Sequence, residues 1–194
     1  NIRFMSTESL KIAKEKVRKE VLALLRKQKE EDRLKKSLSI LKKLFALPEF
    51  KCAKTVLFYA SFDGEVETLE MIKQSLTLGK KIALPNIYTK TKEIIPTYVD
   101  DLKEDLVLGP YGIKQSRNSH LKPVDLDEID FSIVPGVAFD ADNYRLGRGA
   151  GYYDRFLVRL SKHTPSVGLA FDFQMVLRLP RQEHDVPMTT VISN

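Results

Sequence analysis

The 194-residue sequence predicts a single α/β domain, a three-layer arrangement around a mostly parallel sheet with an N-terminal helical segment ahead of it. Three observations predict it. Apolar residues recur at helical spacing across Glu8–Ala46. An apolar strand, a helix and a second strand follow between Thr55 and Leu84 with short connections. A third apolar run, Asp130–Phe139, then leads through a polar turn into a glycine-rich loop that opens another helix. Strand, helix, strand with short links is the pattern of a parallel βαβ unit, because a parallel partner needs a crossover.

In the N-terminal segment, Leu10, Ala13, Val17, Val21, Leu24 and Leu25 form one helical stripe, and Leu34, Leu38, Leu41 and Phe45 form a second. Between them Arg26–Lys36 is almost wholly charged and reads as a solvated face or a helix–helix connection, and Pro48 ends the region. Asn1–Phe4 precede Met5 and read as an extension outside the fold. Thr55–Ser61 is β-branched, aromatic and apolar, and reads as a buried strand. Phe62-Asp63-Gly64 is a turn; Val66–Leu78 is helical through Val66, Leu69, Ile72 and Leu76, with Gly79 as its stop. Lys81–Leu84 is the next strand, closed by Pro85. Lys90–Gly112 is less regular, with short strands around Ile94–Val99. After Asp130–Phe139 and the turn Asp140–Tyr144, a helix is expected over Gly151–Lys162, a strand at Ser166–Phe171, a short turn or helix at Gln174–Leu177 and a last strand at Thr190–Ile192.

Composition narrows the function. Hydrophobic residues make up 43% and charged residues 30% of the chain, which fits an ordinary soluble globular protein. The longest apolar runs, Val56–Ser61 and Ile133–Phe139, are too short to cross a bilayer, and no apolar signal segment follows the N-terminus, so a cytoplasmic protein is expected. The single cysteine, Cys52, excludes an internal disulfide and is expected to be a packed, inert thiol. A formal charge of +6 favours anionic partners: nucleoside triphosphates, polyanionic small molecules or nucleic acid. The basic residues are not clustered with interleaved aromatics, which argues against nucleic acid.

The most informative stretch is Arg145-Leu146-Gly147-Arg148-Gly149-Ala150-Gly151-Tyr152-Tyr153-Asp154-Arg155. Glycine lets a backbone approach an anion and adopt positive φ, and N–H groups at a helix start favour phosphate. Arg145 and Arg148 add guanidinium groups suited to phosphate oxygens. The GxGxG spacing is neither a Walker A loop nor the dinucleotide fingerprint, so the residues alone give a phosphate-binding loop and no more. Asp154, in the first turn of the helix, suits either the helix dipole or magnesium beside phosphate. Tyr153 shares a face with Leu157 and Leu160, whereas Tyr152 points elsewhere and is a candidate for lining a pocket. Lys14 and Arg18 lie on one face of the first helix, and Glu65 and Glu67 follow the first strand's turn. His184-Asp185 sits in a polar loop before the last strand, and His120 and His163 lack a zinc-ligand pattern. No Gly-x-Ser-x-Gly elbow supports a serine hydrolase.

Taken together, Val134-Pro135-Gly136-Val137-Ala138-Phe139-Asp140 followed by Arg145-Leu146-Gly147-x-Gly-x-Gly-Tyr152-Tyr153-Asp154 resembles the signature of the 5-formyltetrahydrofolate cyclo-ligase (methenyltetrahydrofolate synthetase) family. The resemblance extends to Lys14-x-x-x-Arg18, to Glu65-Val66-Glu67-Thr68 and to Leu179-Pro180 through His184-Asp185-x-Pro187, and so covers roughly residues 14–193. It implies a fold of the kind shared with sugar-phosphate isomerases and CoA transferases. It implies an ATP- and Mg2+-dependent ring closure of 5-formyltetrahydrofolate by a monomer, with no nucleic-acid or membrane partner. By resemblance, Lys14, Arg18, Arg145, Leu146, Gly147, Arg148, Gly149, Ala150, Gly151, Tyr152 and Tyr153 contact ATP. Ala60, Glu65, Arg148, Gly149, Ala150, Gly151 and Tyr152 border the folate; Asp154 and Asp185 serve magnesium; Arg148 and Arg145 carry the catalytic charge. Two positions depart from the family pattern: Ala150 stands where a glycine or lysine is common, and Thr189 where many bacterial members carry Asp. The alternatives are a phosphosugar- or CoA-handling enzyme on the same fold and a basic nucleic-acid-binding protein.

Overall fold

The computed structural model describes residues 6–117, 122–182 and 185–194. His120 and His184 lie outside the described residues. The chain runs α1 (Thr7–Lys27), α2 (Glu30–Ala46), α3 (Pro48–Cys52), β1 (Thr55–Leu57), α4 (Leu69–Thr77), β2 (Lys81–Tyr88), β3 (Glu93–Val99), β4 (Leu106–Leu108), β5 (Lys114–Ser116), β6 (Phe131–Val134), β7 (Ala138–Asp140), β8 (Arg145–Leu146), α5 (Tyr152–Leu157), β9 (Ser166–Ala170), β10 (Met175–Val176) and β11 (Thr190–Ser193). Among the described residues no helix is long and apolar enough to cross a membrane.

The main sheet has the order β11-β9-β6-β1-β2-β3, parallel at every pairing except the antiparallel β2–β3 edge. One face packs Val56, Phe58 and Ile82 against Ile40 and Leu44 of α2, Phe50 of α3 and Met71 and Ile72 of α4. The other packs Leu57 and Ala83 against Phe156 and Leu157 of α5. Successive strand residues point to opposite faces, so covering both faces explains why β1 is apolar throughout. The expected three layers are therefore present. Phe50 anchors the larger face, edge-on to Phe131 at 5.4 Å and to Phe58 at 6.3 Å. The chain also forms a three-stranded sheet, β10-β7-β8, and a two-stranded ribbon, β4-β5.

Several boundaries differ from the sequence reading, each for a physical reason. The helical region breaks at Gln28-Lys29, both extended, and Pro48 opens α3 at its first turn rather than closing the region. The stripe on α2 is rotated: Ser37, Ile40, Leu41 and Leu44 are buried, while Leu34 and Leu38, like Leu24 on α1, are exposed. Cys52 is exposed at the end of α3, not packed. Ladder pairing of the first strand stops at Leu57, with one further bond from Phe58 N–H to the Ala83 carbonyl. Thr68 Oγ1 then donates to the Tyr59 carbonyl at 2.6 Å and accepts from Ser61 N–H at 3.0 Å, taking over the pairing role. The helix starts after this residue, at Leu69, so Val66 is buried ahead of it.

The second strand runs through Pro85 to Tyr88. Pro85 faces Pro96 of β3, whose carbonyl is turned outward to Val124 N–H, so the missing proline N–H breaks no ladder bond between them. The third apolar run is two strands in two sheets, split at Pro135-Gly136. The Phe139 ring, fully buried, fills the space where a Cβ on Gly136 or Gly168 would sit, each 2.5 Å away. The last predicted helix is shortened to the six residues of α5, and Gln174–Leu177 resolves into the end of a 3-10 turn and β10.

These connections place the exit of β1, the glycine-rich loop between β8 and α5, and α1 in one region. Gly64, at φ +82°, lies with its virtual Cβ 2.4 Å from the Leu25 carbonyl oxygen, so the turn after β1 docks directly on the end of α1. Gly79, at φ +79°, has open space instead. Gly64→Ala is therefore expected to destabilise the protein by more than about 2 kcal/mol, and Gly79→Ala by only about 1 kcal/mol, in urea unfolding.

Candidate active site

The loop Gly147–Gly151 is held open by its own backbone and by three arginines around it. Gly149 (φ +109°) and Gly151 (φ +67°) adopt conformations that side-chain-bearing residues rarely take, and Gly151 is the left-handed N-cap of α5. Arg18 of α1 donates from Nε to the Gly147 carbonyl at 2.9 Å. Arg155 donates from Nη2 to the Ala150 carbonyl at 3.0 Å and to Lys92 O at 2.9 Å, tying the loop to the β2–β3 hairpin. Arg145 enters from β8, where Leu146 pairs with Ala138.

Arg145 has a side chain only 2% exposed, and its Nη2 donates to Asp154 Oδ1 at 2.8 Å. Burial pulls its pKa down, and Asp154, Tyr153 and Asp185 pull it back toward the charged form. The buried Lys14 of α1 donates to Asp185 Oδ2 at 2.7 Å and to Gln182 Oε1 at 3.2 Å. Asp154 and Asp185, the two expected magnesium residues, thus both act on Arg145 and each already holds a cation. Among the described residues no cluster of three metal-ligating side chains exists. Magnesium commonly takes one or two carboxylates and completes its shell with water and substrate phosphate oxygens, so this pair fits a metal that arrives with phosphate and not one held by protein alone.

Arg148 reaches away from this group toward the exit of β1. Its guanidinium donates to Asp63 Oδ2 at 3.0 Å and to Glu65 Oε1 at 3.3 Å, and lies over the Phe62 ring at 4.2 Å. Glu65 is 7% exposed. Burial pushes its carboxyl up to about 7, against the pull of Arg148 and the Phe62 N–H. Asp63 is held below the usual carboxylate range, first by Arg26, against burial, and then by Arg148. Tyr59 and Tyr153 bring buried phenols beside Glu65, both pushed up chiefly by burial, and the Tyr153 hydroxyl is buried without a hydrogen-bond partner among the described residues. Ala60, between Tyr59 and Ser61, is 1% exposed.

Tyr152 and Tyr153 diverge as their spacing implies. Tyr153 meets Phe156 at 6.3 Å and Arg145 at 5.7 Å, while Tyr152 meets the Tyr111 ring at 6.5 Å and Arg155 at 5.5 Å. Glu67 accepts from Arg33, Ser61 and Leu69 N–H, and so braces the turn instead of facing the loop. A cleft of about 350 Å³ opens beside the same turn, lined in part by Arg26, Gln28, Arg33, Phe62, Asp63 and Glu67.

The structure therefore gathers Lys14, Arg18, Arg145–Tyr153, Asp154 and Asp185 around one loop, and Arg148 joins that group to Glu65. Sequence reasoning missed Asp63, Phe62 and Arg26, which aim Arg148, and Arg155 and Tyr111, which flank Tyr152. The Phe62-Asp63-Gly64 turn was the available signal, since Asp63 takes positive φ (49°) there, but a turn motif does not say which distant arginine it holds.

Buried Lys14 and Arg145 and the part-buried Arg18 surround a glycine loop that Arg148 joins to the buried Glu65, a charge arrangement suited to a polyanion and a second, polar ligand. Comparison with known proteins gives the family. Residues 10–194 match the model of the 5-formyltetrahydrofolate cyclo-ligase family. The chain is 32% identical over 152 residues to the 5-formyltetrahydrofolate cyclo-ligase of Escherichia coli K12, covering 78% of this chain and 84% of that one. It is 29% identical over 197 residues to the Mus musculus cyclo-ligase, covering 97% of each. The solved structure of Aquifex aeolicus 5,10-methenyltetrahydrofolate synthetase superposes with a TM-score of 0.81 at 36% identity, covering 93% of this chain and 89% of that one. With the loop, the α1 cations and the β1-exit carboxyl all inside the matched span, this chain belongs to the 5-formyltetrahydrofolate cyclo-ligase family.

Proposed function

We propose that this chain converts 5-formyltetrahydrofolate to 5,10-methenyltetrahydrofolate with consumption of ATP and release of ADP and phosphate. The observation that carries the reading is Arg148, whose guanidinium bridges the glycine loop and the buried Glu65. A formamide oxygen is a poor leaving group. Transfer of the γ-phosphoryl group to it makes a phosphorylated imidate; the second folate nitrogen attacks the imidate carbon, the C–O bond breaks, and phosphate leaves as the ring closes. Such chemistry asks the protein mainly for placement and charge neutralisation.

In this reading the backbone of Leu146–Tyr153 and the side chains of Lys14, Arg18, Arg145 and Arg148 hold the triphosphate. Arg148, with Asp63 and Phe62 fixing its direction, meets the transferring group. Glu65 takes the polar edge of the pterin, with Ala60 and Tyr152 at its border. Asp154 and Asp185 would hold magnesium together with phosphate oxygens, and the metal supplies charge neutralisation there. Ala150 offers no cation at the position where the family resemblance leads one to expect a glycine or a lysine, which leaves that task to Arg148. The mostly parallel sheet supports the fold shared with sugar-phosphate isomerases and CoA transferases. The reading takes the chain as a cytoplasmic monomer that needs no nucleic acid.

The direct test is absorbance of methenylfolate formed from 5-formyltetrahydrofolate, with and without ATP and magnesium; product formed equally without ATP sinks the proposal. Arg148→Ala is expected to lower kcat by about 10²–10³-fold while the protein stays folded, as for loss of one preorganised donor to transition-state charge. An unchanged rate at saturating ATP removes Arg148 from that role. Asp154→Asn is expected to raise the magnesium requirement, and a magnesium titration superimposable on wild type leaves Asp154 only as the partner of Arg145.

Glu65 also makes a stability prediction. Its folded pKa, about 7, lies above the ordinary 4.5, so between these values the unfolded chain has lost a proton that the fold retains. Stability therefore falls as pH rises through this window, and the loss is complete above about 7. Glu65→Gln removes the effect and is expected to gain on the order of 3 kcal/mol over wild type between pH 4.5 and 7.5. Parallel urea-unfolding profiles for the two proteins across that window contradict it.

A further inference from the structure

We propose that Asp140, acting through Arg181, is a positioning residue for the nucleotide site: it sets Lys14 and Asp185 in place beside the glycine loop without touching a ligand itself. The inference rests on reading that loop as the ATP site.

Asp140 ends β7 and is fully buried, where a carboxylate persists only if its lone pairs are filled. Four donors fill them. Oδ1 accepts from Asp142 N–H at 3.1 Å and Tyr144 N–H at 3.0 Å; Oδ2 accepts from Leu179 N–H at 3.0 Å and Arg181 Nη2 at 2.8 Å. Burial acts to raise this carboxyl, and the hydrogen bonds outweigh it, so it lies below its ordinary value.

The two oxygens serve two different segments. Oδ1 shapes the Asp140–Tyr144 turn, and the residue after that turn is Arg145. Oδ2 fixes Leu179 and Arg181, and the next residue is Gln182, whose Oε1 accepts from Lys14 and whose N–H donates to Asp185 Oδ2 at 2.8 Å. Arg181 closes the clasp: Nη2 also reaches Asp142, and the guanidinium lies 4.0 Å from the centre of the Tyr144 ring. Met188 N–H donates to the Asn143 carbonyl at 2.8 Å, pinning the segment again beyond Asp185. One buried carboxylate thus joins the chain that delivers Arg145 to the chain that delivers the partner of Lys14. Small displacements of binding groups lower affinity steeply, so the clasp sets nucleotide binding from a distance.

Asp140→Ala would strand several buried N–H groups and endanger the fold, so the test uses Arg181, whose side chain is 24% exposed. Wild type, Arg181→Ala and Arg181→Lys are compared by calorimetric titration with ADP and magnesium, by KM and kcat for each substrate, and by melting temperature. Arg181→Ala is expected to raise the Kd for ADP and the KM for ATP by about tenfold, as does loss of a contact that orients a binding group, with kcat at saturating ATP and the KM for 5-formyltetrahydrofolate unchanged. Arg181→Lys recovers part of the affinity, because one ammonium reaches a carboxylate but cannot both bridge and stack. A lower melting temperature with unaltered ADP and ATP affinities makes the clasp purely structural and overturns the proposal. Equal weakening of both substrates overturns it as well. Wild type that binds no ADP sinks the ATP-site reading and this inference together, whereas binding that Arg181→Ala leaves intact sinks this inference alone.

Discussion

A guanidinium whose side chain is 2% exposed stays charged only if counter-charge is brought to it, and Arg145 imposes that demand on the whole site. Asp154 answers from the first turn of α5 and Asp185 from the segment before β11. Asp185 in turn draws the Lys14 ammonium into a buried position on α1. The result is an alternating set of cations and carboxylates around a loop whose glycines leave the backbone accessible. Helix α1, which pairs with no strand, owes its place against the loop to these contacts and to Arg18 as much as to Val21 and Leu25 in the core.

A second electrostatic group stands at the exit of β1, and it differs in character. There the carboxyl of Glu65 is too buried to ionise readily even beside Arg148, and the nearby charge of Asp63 deepens the effect. Asp63, more open and shared by Arg26 and Arg148, keeps its charge. Arg148 is therefore held by one firm anion and one reluctant one, with Phe62 beneath it. A cation held this way can exchange the reluctant partner for a phosphoryl oxygen while its stem stays oriented, which suits the role proposed for Arg148 between two substrates.

How much of this could be read in advance depended on range. The glycine loop, its arginines and the βαβ unit are local patterns, and the sequence displays them directly. Boundaries failed where a distant residue intervened: Thr68 replaces the ladder beyond Leu57, Pro96 lets Pro85 sit inside β2, and Phe139 needs two glycines 32 residues apart. The site followed the same division. Loop residues and Asp154 were visible together, whereas the aiming of Arg148 by Asp63 and the clasp of Asp140 with Arg181 pair residues 85 and 41 positions apart. The rotated stripe on α2 has a similar cause. Leu34 and Leu38 fit a helical period as well as Ile40 and Leu44 do, and only the sheet beneath decides which face is covered.

The bond from Lys14 to Asp185 spans 171 positions, the longest reach among the hydrogen bonds of the described residues at the site. During synthesis α1 leaves the ribosome early, and its lysine waits on the order of ten seconds or more for the aspartate that completes it. Until then Lys14 lacks its carboxylate partner and the sheet lacks its β11 edge. A chain released before Asp185 is made would have the glycine loop but not the Lys14–Asp185 bond beside it.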